Sequence, residues 1–359
     1  MAPAAKIPVI DISATGQEEQ LKVAKELVDA AVEHGFVYIK NTGADISADA
    51  IENAFSLGKK IFEAPVEEKQ QCTIQKNNRG WSSMNYETLD PKNQRVGDFK
   101  EAFNFGAFED GKAQQPLPAS IAPQEGQYSA FFDLCYNLSL KINHLLGIGL
   151  EVQPPTFFRD RHLREGGPSG NILRFLYYPP FKSLDPGAAD PAEDVRAGAH
   201  SDYGSITLLF RLRGQAGLEI SLPDGESWAP VPVSPPGTED DPSPPILVNI
   251  GDLLSYWTNG LLRSTVHRVV FPGPKGVLVN GESDAEPRYS IAFFCHPVGS
   301  TTLEPVPSDR VRNHRPTDGE EWATRGANPD VERKAITADE HLHMRLKASY
   351  LQLYEKDKQ

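Results

Sequence analysis

Cysteine is scarce in this sequence: Cys72, Cys135 and Cys295 are the only three among 359 residues, and they are far apart. A disulfide framework requires paired cysteines, and a thiolate metal site requires several cysteines at short spacing. The sequence argues against both kinds of structure. An odd number of scattered thiols is typical of a reducing compartment, so we expect a cytoplasmic protein.

Positive charge and long apolar runs are also lacking. The chain has 36 Lys and Arg against 49 Asp and Glu, which gives a net charge of −13 and a pI near 5.2. Such a surface repels phosphate backbones and anionic lipid head groups, so we expect neither nucleic acid nor a membrane as a partner. No stretch approaches the roughly 18–20 apolar residues of a transmembrane helix. Pro8 and Asp11 interrupt the amino-terminal apolar run that a signal peptide would need.

The composition is otherwise that of a globular protein, with 39% hydrophobic and 24% charged residues. Apolar residues recur at helical spacing in four segments, and these predict amphipathic helices. The four segments are 17–34, 47–62, 126–150 and 337–354. Short strands are predicted before the long third helix, at 7–12, 36–40 and 98–106.

Beyond about residue 170 the pattern changes to short β-type runs with Gly- and Pro-rich breaks between them. The runs are 172–178, 205–210, 218–222, 246–250, 253–257, 264–270 and 288–294. This pattern favours a β-sandwich or barrel, so the fold class is mainly β with flanking helices. Asn259 and Gly260 predict a hairpin that joins 253–257 to 264–270. The segment 223–245 is predicted to be mostly loop.

A His-x-Asp pair lies within the β-rich part of the chain. His200 and Asp202 are two residues apart, so in an extended backbone both side chains project to the same face. With His267 as a third ligand they make the two-histidine, one-carboxylate set that holds iron(II) and leaves positions open for other ligands. His-x-Asp alone is a weak signal, and the order of the surrounding motifs is what strengthens it.

A second pair, Arg288 and Ser290, shares one face of the last predicted strand. A planar guanidinium binds a carboxylate through two hydrogen bonds, and an adjacent hydroxyl adds another. The rest of this strand is strongly apolar, so an arginine entering it requires a charged partner. The pair therefore predicts an anchor for a carboxylate-bearing molecule.

Six motifs together resemble the iron(II)- and 2-oxoglutarate-dependent oxygenase superfamily. They also resemble, more narrowly, the branch typified by isopenicillin N synthase, plant flavonoid oxygenases and aminocyclopropanecarboxylate oxidase. The resemblance extends from about residue 7 to residue 298. Its motifs are IPVIDIS at the amino terminus, HGFVYIKNTG from 34, HSD from 200, NIGDLL from 249, STVHRVVFP from 264 and EPRYSIAFF from 286.

The resemblance implies a distorted double-stranded β-helix, a jelly-roll core, at 171–300. An amino-terminal region of 1–125 would precede it, with a long helix and connector at 126–170 and a carboxy-terminal loop and helix at 301–359. It also implies roles for individual residues. Iron would be bound by His200, Asp202 and His267, and 2-oxoglutarate would contact Arg288, Ser290 and Tyr178. Phe294 resembles an aromatic residue of the substrate pocket, although a plain core phenylalanine is an equally good interpretation.

The implied reaction is hydroxylation or desaturation of a small organic molecule, with dioxygen consumed and succinate and CO2 released; ascorbate is a further cofactor that the resemblance allows. The long loop at 223–245 and the carboxy-terminal tail resemble fungal members, many of which oxidise secondary metabolites, and a monomer is typical of the branch. Two alternatives stay open: an oxidase of the isopenicillin N synthase or aminocyclopropanecarboxylate oxidase kind that uses no 2-oxoglutarate, and a non-catalytic binding module on the same scaffold.

Three further residues near these motifs have simpler interpretations. His296, followed by Pro297 at a strand end, is predicted to be structural. Asp252 follows a glycine and is predicted to be a turn residue. Tyr203 comes directly after the His-x-Asp pair, and strand parity predicts that its side chain faces away from the site.

Overall fold

The computed structural model describes residues 3–90, 97–180, 196–270, 286–315 and 335–349. Within these residues the helices are α1 Gln17–Glu33, α2 Ala48–Glu63, α3 Val66–Gln70, α4 Glu125–Gly149, α5 Phe157–Asp160, α6 Asp252–Trp257, α7 Asp309–Asn313 and α8 Ala338–Ser349. The strands are β1 Val9–Ile10, β2 Phe36–Ile39, β3 Gly80–Ser82, β4 Glu101–Phe105, β5 Ile172–Tyr178, β6 Ala197–His200, β7 Ile206–Arg211, β8 Leu218–Ser221, β9 Trp228–Pro230, β10 Ile246–Ile250, β11 His267–Val269 and β12 Arg288–Cys295.

The strands form two sheets. The larger has the order β1-β2-β10-β7-β12-β5-β4-β3 and the smaller has the order β6-β11-β8-β9. All pairings between these strands are antiparallel except that of β1 with β2. This arrangement, with helices alongside, confirms the predicted mainly β class and is consistent with a jelly-roll core.

Strand alternation divides the large sheet into two chemically different faces. On β12, Ile291 and Phe293 belong to the core cluster that includes the apolar faces of α1 and α4. The alternate residues Ala292 and Phe294 pack in a second cluster, which includes side chains of the small sheet. Because successive side chains of a strand point to opposite faces, one strand contributes to the helix-covered core and to the space between the sheets.

Most predicted elements are confirmed. Capping hydrogen bonds account for where two of the helices begin. Ser47 precedes α2, and its hydroxyl accepts a hydrogen bond from the Ala50 backbone N–H at 3.1 Å. Thr337 precedes α8 and forms a reciprocal capping box with Glu340. The part of this helix predicted beyond Ser349 lies outside the described residues. The predicted loop at 223–245 contains the short strand β9, which pairs with β8.

The predicted strand at 253–257 is wrong, because these residues form helix α6, and the hairpin that depended on it is wrong with it. Every side chain of α6 is buried, so the segment has no polar face that would reveal a helical period. Asn259 and Gly260 do adopt positive φ angles of 57° and 77°, as a turn requires, but the turn follows a helix. His267 is positioned instead by strand pairing of β11 with β6 and β8.

Candidate metal and co-substrate site

Three side chains meet where β6 ends and β11 begins. His200 and His267 are direct partners in the antiparallel register, and Asp202 lies just beyond the end of β6. The Asp202 Oδ1 atom is 3.9 Å from His200 Nε2 and 3.7 Å from His267 Nε2. Among the described residues, this is the one group of three His, Cys, Asp or Glu ligand atoms that all lie within 4.8 Å of one another.

Both imidazoles are oriented by the backbone. His200 Nδ1 is 2.7 Å from the Gly198 carbonyl oxygen, and His267 Nδ1 is 3.1 Å from that of Thr265. A carbonyl can only accept, so each Nδ1 carries a hydrogen and each Nε2 faces Asp202. Burial, reinforced by the neighbouring His267, lowers the pKa of His200 to about 4, so this ring is neutral at pH 7.

The Asp202 carboxylate is fixed through its other oxygen. Oδ2 accepts hydrogen bonds from the Thr207 hydroxyl at 2.6 Å and the Asn249 amide at 2.7 Å. Burial alone would raise the pKa of Asp202, but the two imidazoles and these two hydrogen bonds outweigh it, and the pKa is lowered. A buried anion between two nitrogen lone pairs is a donor set that fits a divalent cation such as iron(II).

Arg288 is a buried cation with an unfilled hydrogen-bonding position. Its Nε donates to the Ala216 carbonyl at 3.0 Å, and its guanidinium lies 4.7 Å from the centre of the Tyr178 ring. The Nη1 atom is buried and has no hydrogen-bond partner. Burial, aided by Arg196 and Arg211 against the opposing effect of Tyr178, lowers the pKa of Arg288 to about 10. A carboxylate ligand would fill the position and balance the charge.

One cavity, open to solvent, connects the two groups. All seven side chains predicted to belong to the site line it: His200, Asp202, His267, Arg288, Ser290, Tyr178 and Phe294. His296 lines it as well; its ring is neutral at pH 7, because burial lowers its pKa to about 3. The structure thus brings the predicted residues together, while their roles stay predictions.

Two of the simpler interpretations are wrong. Tyr203 lines the cavity, because the chain turns after His200 and strand parity no longer applies. Asp252 is not a turn residue but the first residue of α6: its side chain is fully buried, and its carboxylate accepts hydrogen bonds from Ser201 and Ser264. The sequence feature that could have marked Asp252 as important is its place in the motif NIGDLL, where an acidic residue precedes an apolar run.

The cavity has a cationic wall that the sequence did not reveal. Lys100 and Arg174 line it, whereas their partners Glu87 and Asp98 are not among its described lining residues. Burial would lower the pKa of Lys100, but Asp98 and Glu87 outweigh it and raise the pKa, so the ammonium stays charged. Asp98 also accepts a hydrogen bond from the Gly198 N–H at 3.0 Å, and this contact connects the ion-paired group to β6.

The fold and site define a non-haem iron oxygenase, and comparisons agree. Residues 7–125 match the family described as "non-haem dioxygenase in morphine synthesis N-terminal" and residues 169–297 match the "2OG-Fe(II) oxygenase superfamily". A UPF0676 protein of Schizosaccharomyces pombe is 38% identical over 84% of this chain and 85% of its own. The 2-oxoglutarate-dependent dioxygenase tropC of Talaromyces stipitatus is 30% identical over 84% and 89%.

Solved structures give the same result. A full-length Neurospora crassa protein, solved in complex with alpha-KG and thymine, is 29% identical with a TM-score of 0.71, over 95% of this chain and 96% of that chain. A 2OG-Fe(II) oxygenase family protein of Caulobacter crescentus is 27% identical with a TM-score of 0.70, over 96% and 99%. The chain belongs to the 2-oxoglutarate- and iron(II)-dependent oxygenase superfamily, whose enzymes use iron(II), 2-oxoglutarate and dioxygen. No described helix combines the length and apolarity required to cross a membrane.

The hydrogen bond from Thr207 to Asp202 provides a test of the metal site. We expect Thr207→Val to weaken Co(II) binding by about tenfold, because a partner that orients a ligand typically contributes roughly 10–100-fold to metal affinity. Thr207→Ser keeps the hydroxyl and should bind as the parent does. Anaerobic titration followed by Co(II) absorption measures both variants, and equal affinity for Thr207→Val and the parent would contradict the assignment.

Proposed function

We propose that this protein is a dioxygenase that hydroxylates or desaturates a small organic molecule while converting 2-oxoglutarate to succinate and CO2. His200, Asp202 and His267 would hold iron(II). Arg288, with Ser290 and Tyr178, would bind the distal carboxylate of 2-oxoglutarate. The observation that carries the proposal is that the buried, unpartnered Nη1 of Arg288 and the His-Asp-His group line one cavity.

The order of residues along β12 supports a division of the cavity between co-substrate and substrate. Arg288 pairs with Tyr178 at one end of the β12 and β5 ladder, and Phe294 pairs with Ile172 at the other. On its other side Phe294 pairs with Thr207, which donates to Asp202. 2-Oxoglutarate would therefore extend from Arg288 toward the metal ligands, and the substrate would occupy the end near Phe294.

In the reaction, each residue has a simple task. Iron(II), when bound, supplies the redox chemistry that couples dioxygen to the oxidation of 2-oxoglutarate and substrate. Thr207 and Asn249 keep the Asp202 carboxylate ionised and fixed, and the backbone carbonyls of Gly198 and Thr265 keep both Nε2 atoms free to bind. Arg288 orients the co-substrate from a buried position, where its charge is weakly screened and acts strongly.

The cationic wall indicates the chemical class of the substrate. Lys100 and Arg174 line the cavity, and each forms an ion pair with Glu87, which is not among the described lining residues. Arg174 is the strand partner of Ala292, which lies two residues before Phe294 on the same face of β12. We propose a flat molecule with carbonyl or carboxylate oxygens, as a secondary metabolite could provide. The complexes of the Neurospora crassa protein with thymine and 5-formyluracil, which carry such oxygens, support this class.

The three cysteines of the chain are free and buried. This supports the proposal that the enzyme works as a cytoplasmic protein. We also propose that it acts as a monomer.

The assignment of Arg288 predicts the kinetics of 2-oxoglutarate. Arg288→Ala should raise the KM for 2-oxoglutarate by about 100-fold, the effect of losing a charged hydrogen-bonded pair of roughly 3 kcal/mol. Arg288→Lys keeps the charge and should restore part of the affinity. Succinate formation measures both, with Co(II) titration as a control that the metal site persists. Consumption of dioxygen without succinate would instead indicate an oxidase that uses no 2-oxoglutarate.

The cationic wall predicts which compounds stimulate turnover. In a panel of flat ring compounds, those with ring carbonyl or carboxylate groups should accelerate succinate formation, and matched compounds without these oxygens should not. Thymine and 5-methylpyrimidine, which share a ring and a methyl group, are a suitable first pair. Stimulation by cationic amines, with no response to carbonyl compounds, would contradict the proposed substrate class, because a protonated amine cannot accept hydrogen bonds from Lys100 or Arg174.

A further inference from the structure

Asp252 occupies a junction of three chain segments. It is the first residue of α6, and its backbone N–H donates to the Asp202 carbonyl at 2.7 Å. Its Oδ2 accepts a hydrogen bond from the Ser201 hydroxyl at 3.0 Å, and its Oδ1 accepts one from the Ser264 hydroxyl at 2.6 Å. Ser201 lies between His200 and Asp202, and Ser264 lies three residues before His267. One carboxylate therefore holds both segments that carry the ligand group.

The charge of Asp252 is balanced by the carboxy-terminal helix. Arg345 of α8 places Nη2 at 2.8 Å from Asp252 Oδ2, and its guanidinium lies 5.1 Å from the centre of the Tyr203 ring. The Asp252 side chain is 0% exposed, so it cannot rely on water for solvation. Removing one partner of a buried ion pair leaves an uncompensated charge, which is strongly unfavourable.

Helix α8 also contributes directly to the cavity. Leu342 lines it, and Leu346 packs in a small cluster with Ile74 and Tyr203. The helix is anchored at its start, where the Ala338 N–H donates to the Thr301 carbonyl at 2.9 Å. The contact between Arg345 and Asp252 thus links a helix that covers the cavity to the backbone that presents the metal ligands.

We propose that Asp252 is a positioning residue for the metal site and that Arg345 acts through it, so that docking of α8 raises metal affinity. Without Arg345, the buried carboxylate would recruit other donors or water and shift the two serine hydroxyls. His200, Asp202 and His267 would then be held less accurately. This inference rests on the proposed function, because it assigns the His-Asp-His group as the metal site.

The test is a double-mutant cycle on Co(II) affinity, measured anaerobically in the full chain without 2-oxoglutarate. Arg345→Met, which keeps side-chain length but removes the charge, should weaken Co(II) binding by about tenfold. In an Asp252→Asn background the same change should have little effect, because the negative charge it balances is gone. Lys347→Met, on an exposed position of the same helix, is the matched control and should bind as the parent does.

The free energy of unfolding of the metal-free variants separates positioning from stability. A purely structural role would lower this free energy in Arg345→Met and leave Co(II) affinity of the folded fraction unchanged, which would overturn the inference. If Asp252→Asn does not fold, the comparison of Arg345→Met with Lys347→Met tests the inference by itself. Parent-like affinity for Arg345→Met would overturn the inference and leave the proposed function intact. Absence of Co(II) binding by the parent would overturn both.

Discussion

The structure depends on the burial of one negative charge, that of Asp202, between two imidazoles. A carboxylate removed from water is unstable unless hydrogen bonds or a cation compensate it. Here one oxygen is satisfied by Thr207 and Asn249, from neighbouring strands of the large sheet. The other faces His200 and His267, from neighbouring strands of the small sheet. The two sheets are thus joined at a point where a bound divalent cation would compensate the buried negative charge.

The same strand alternation that builds the core also builds the cavity. Ile291 and Phe293 pack toward the helices, and Ser290, Ala292 and Phe294 face the space between the sheets. The apolar side chains on one face fix the strand, and this fixes the direction of the side chains on the other. Arg288 can therefore be held in a buried position with an open donor, because the packing around it outweighs the cost of an unpaired charge.

How much of this could be predicted from the sequence depends on the range of the interaction. Parity places Arg288, Ser290 and Phe294 on one face correctly, because it is a local property of a strand. His200, Asp202 and His267 could be grouped through motif order. The contacts that could not be predicted are those between segments far apart in the sequence. Lys100 forms an ion pair with Glu87, which also pairs with Arg174. Asp252 contacts Ser264 and Arg345. Helix α6 escapes prediction because complete burial removes the periodic signal of a helix.

We expect iron(II) and 2-oxoglutarate to bind together in this cavity. The direct measurement is an anaerobic titration of the protein with both, followed through the visible charge-transfer absorption that arises when 2-oxoglutarate chelates iron(II). We expect the band to appear with the parent and to be absent with Asp202→Ala, which lacks the buried carboxylate. A band of equal strength in the variant, or none in the parent despite bound iron, would show that this cavity is not the binding site.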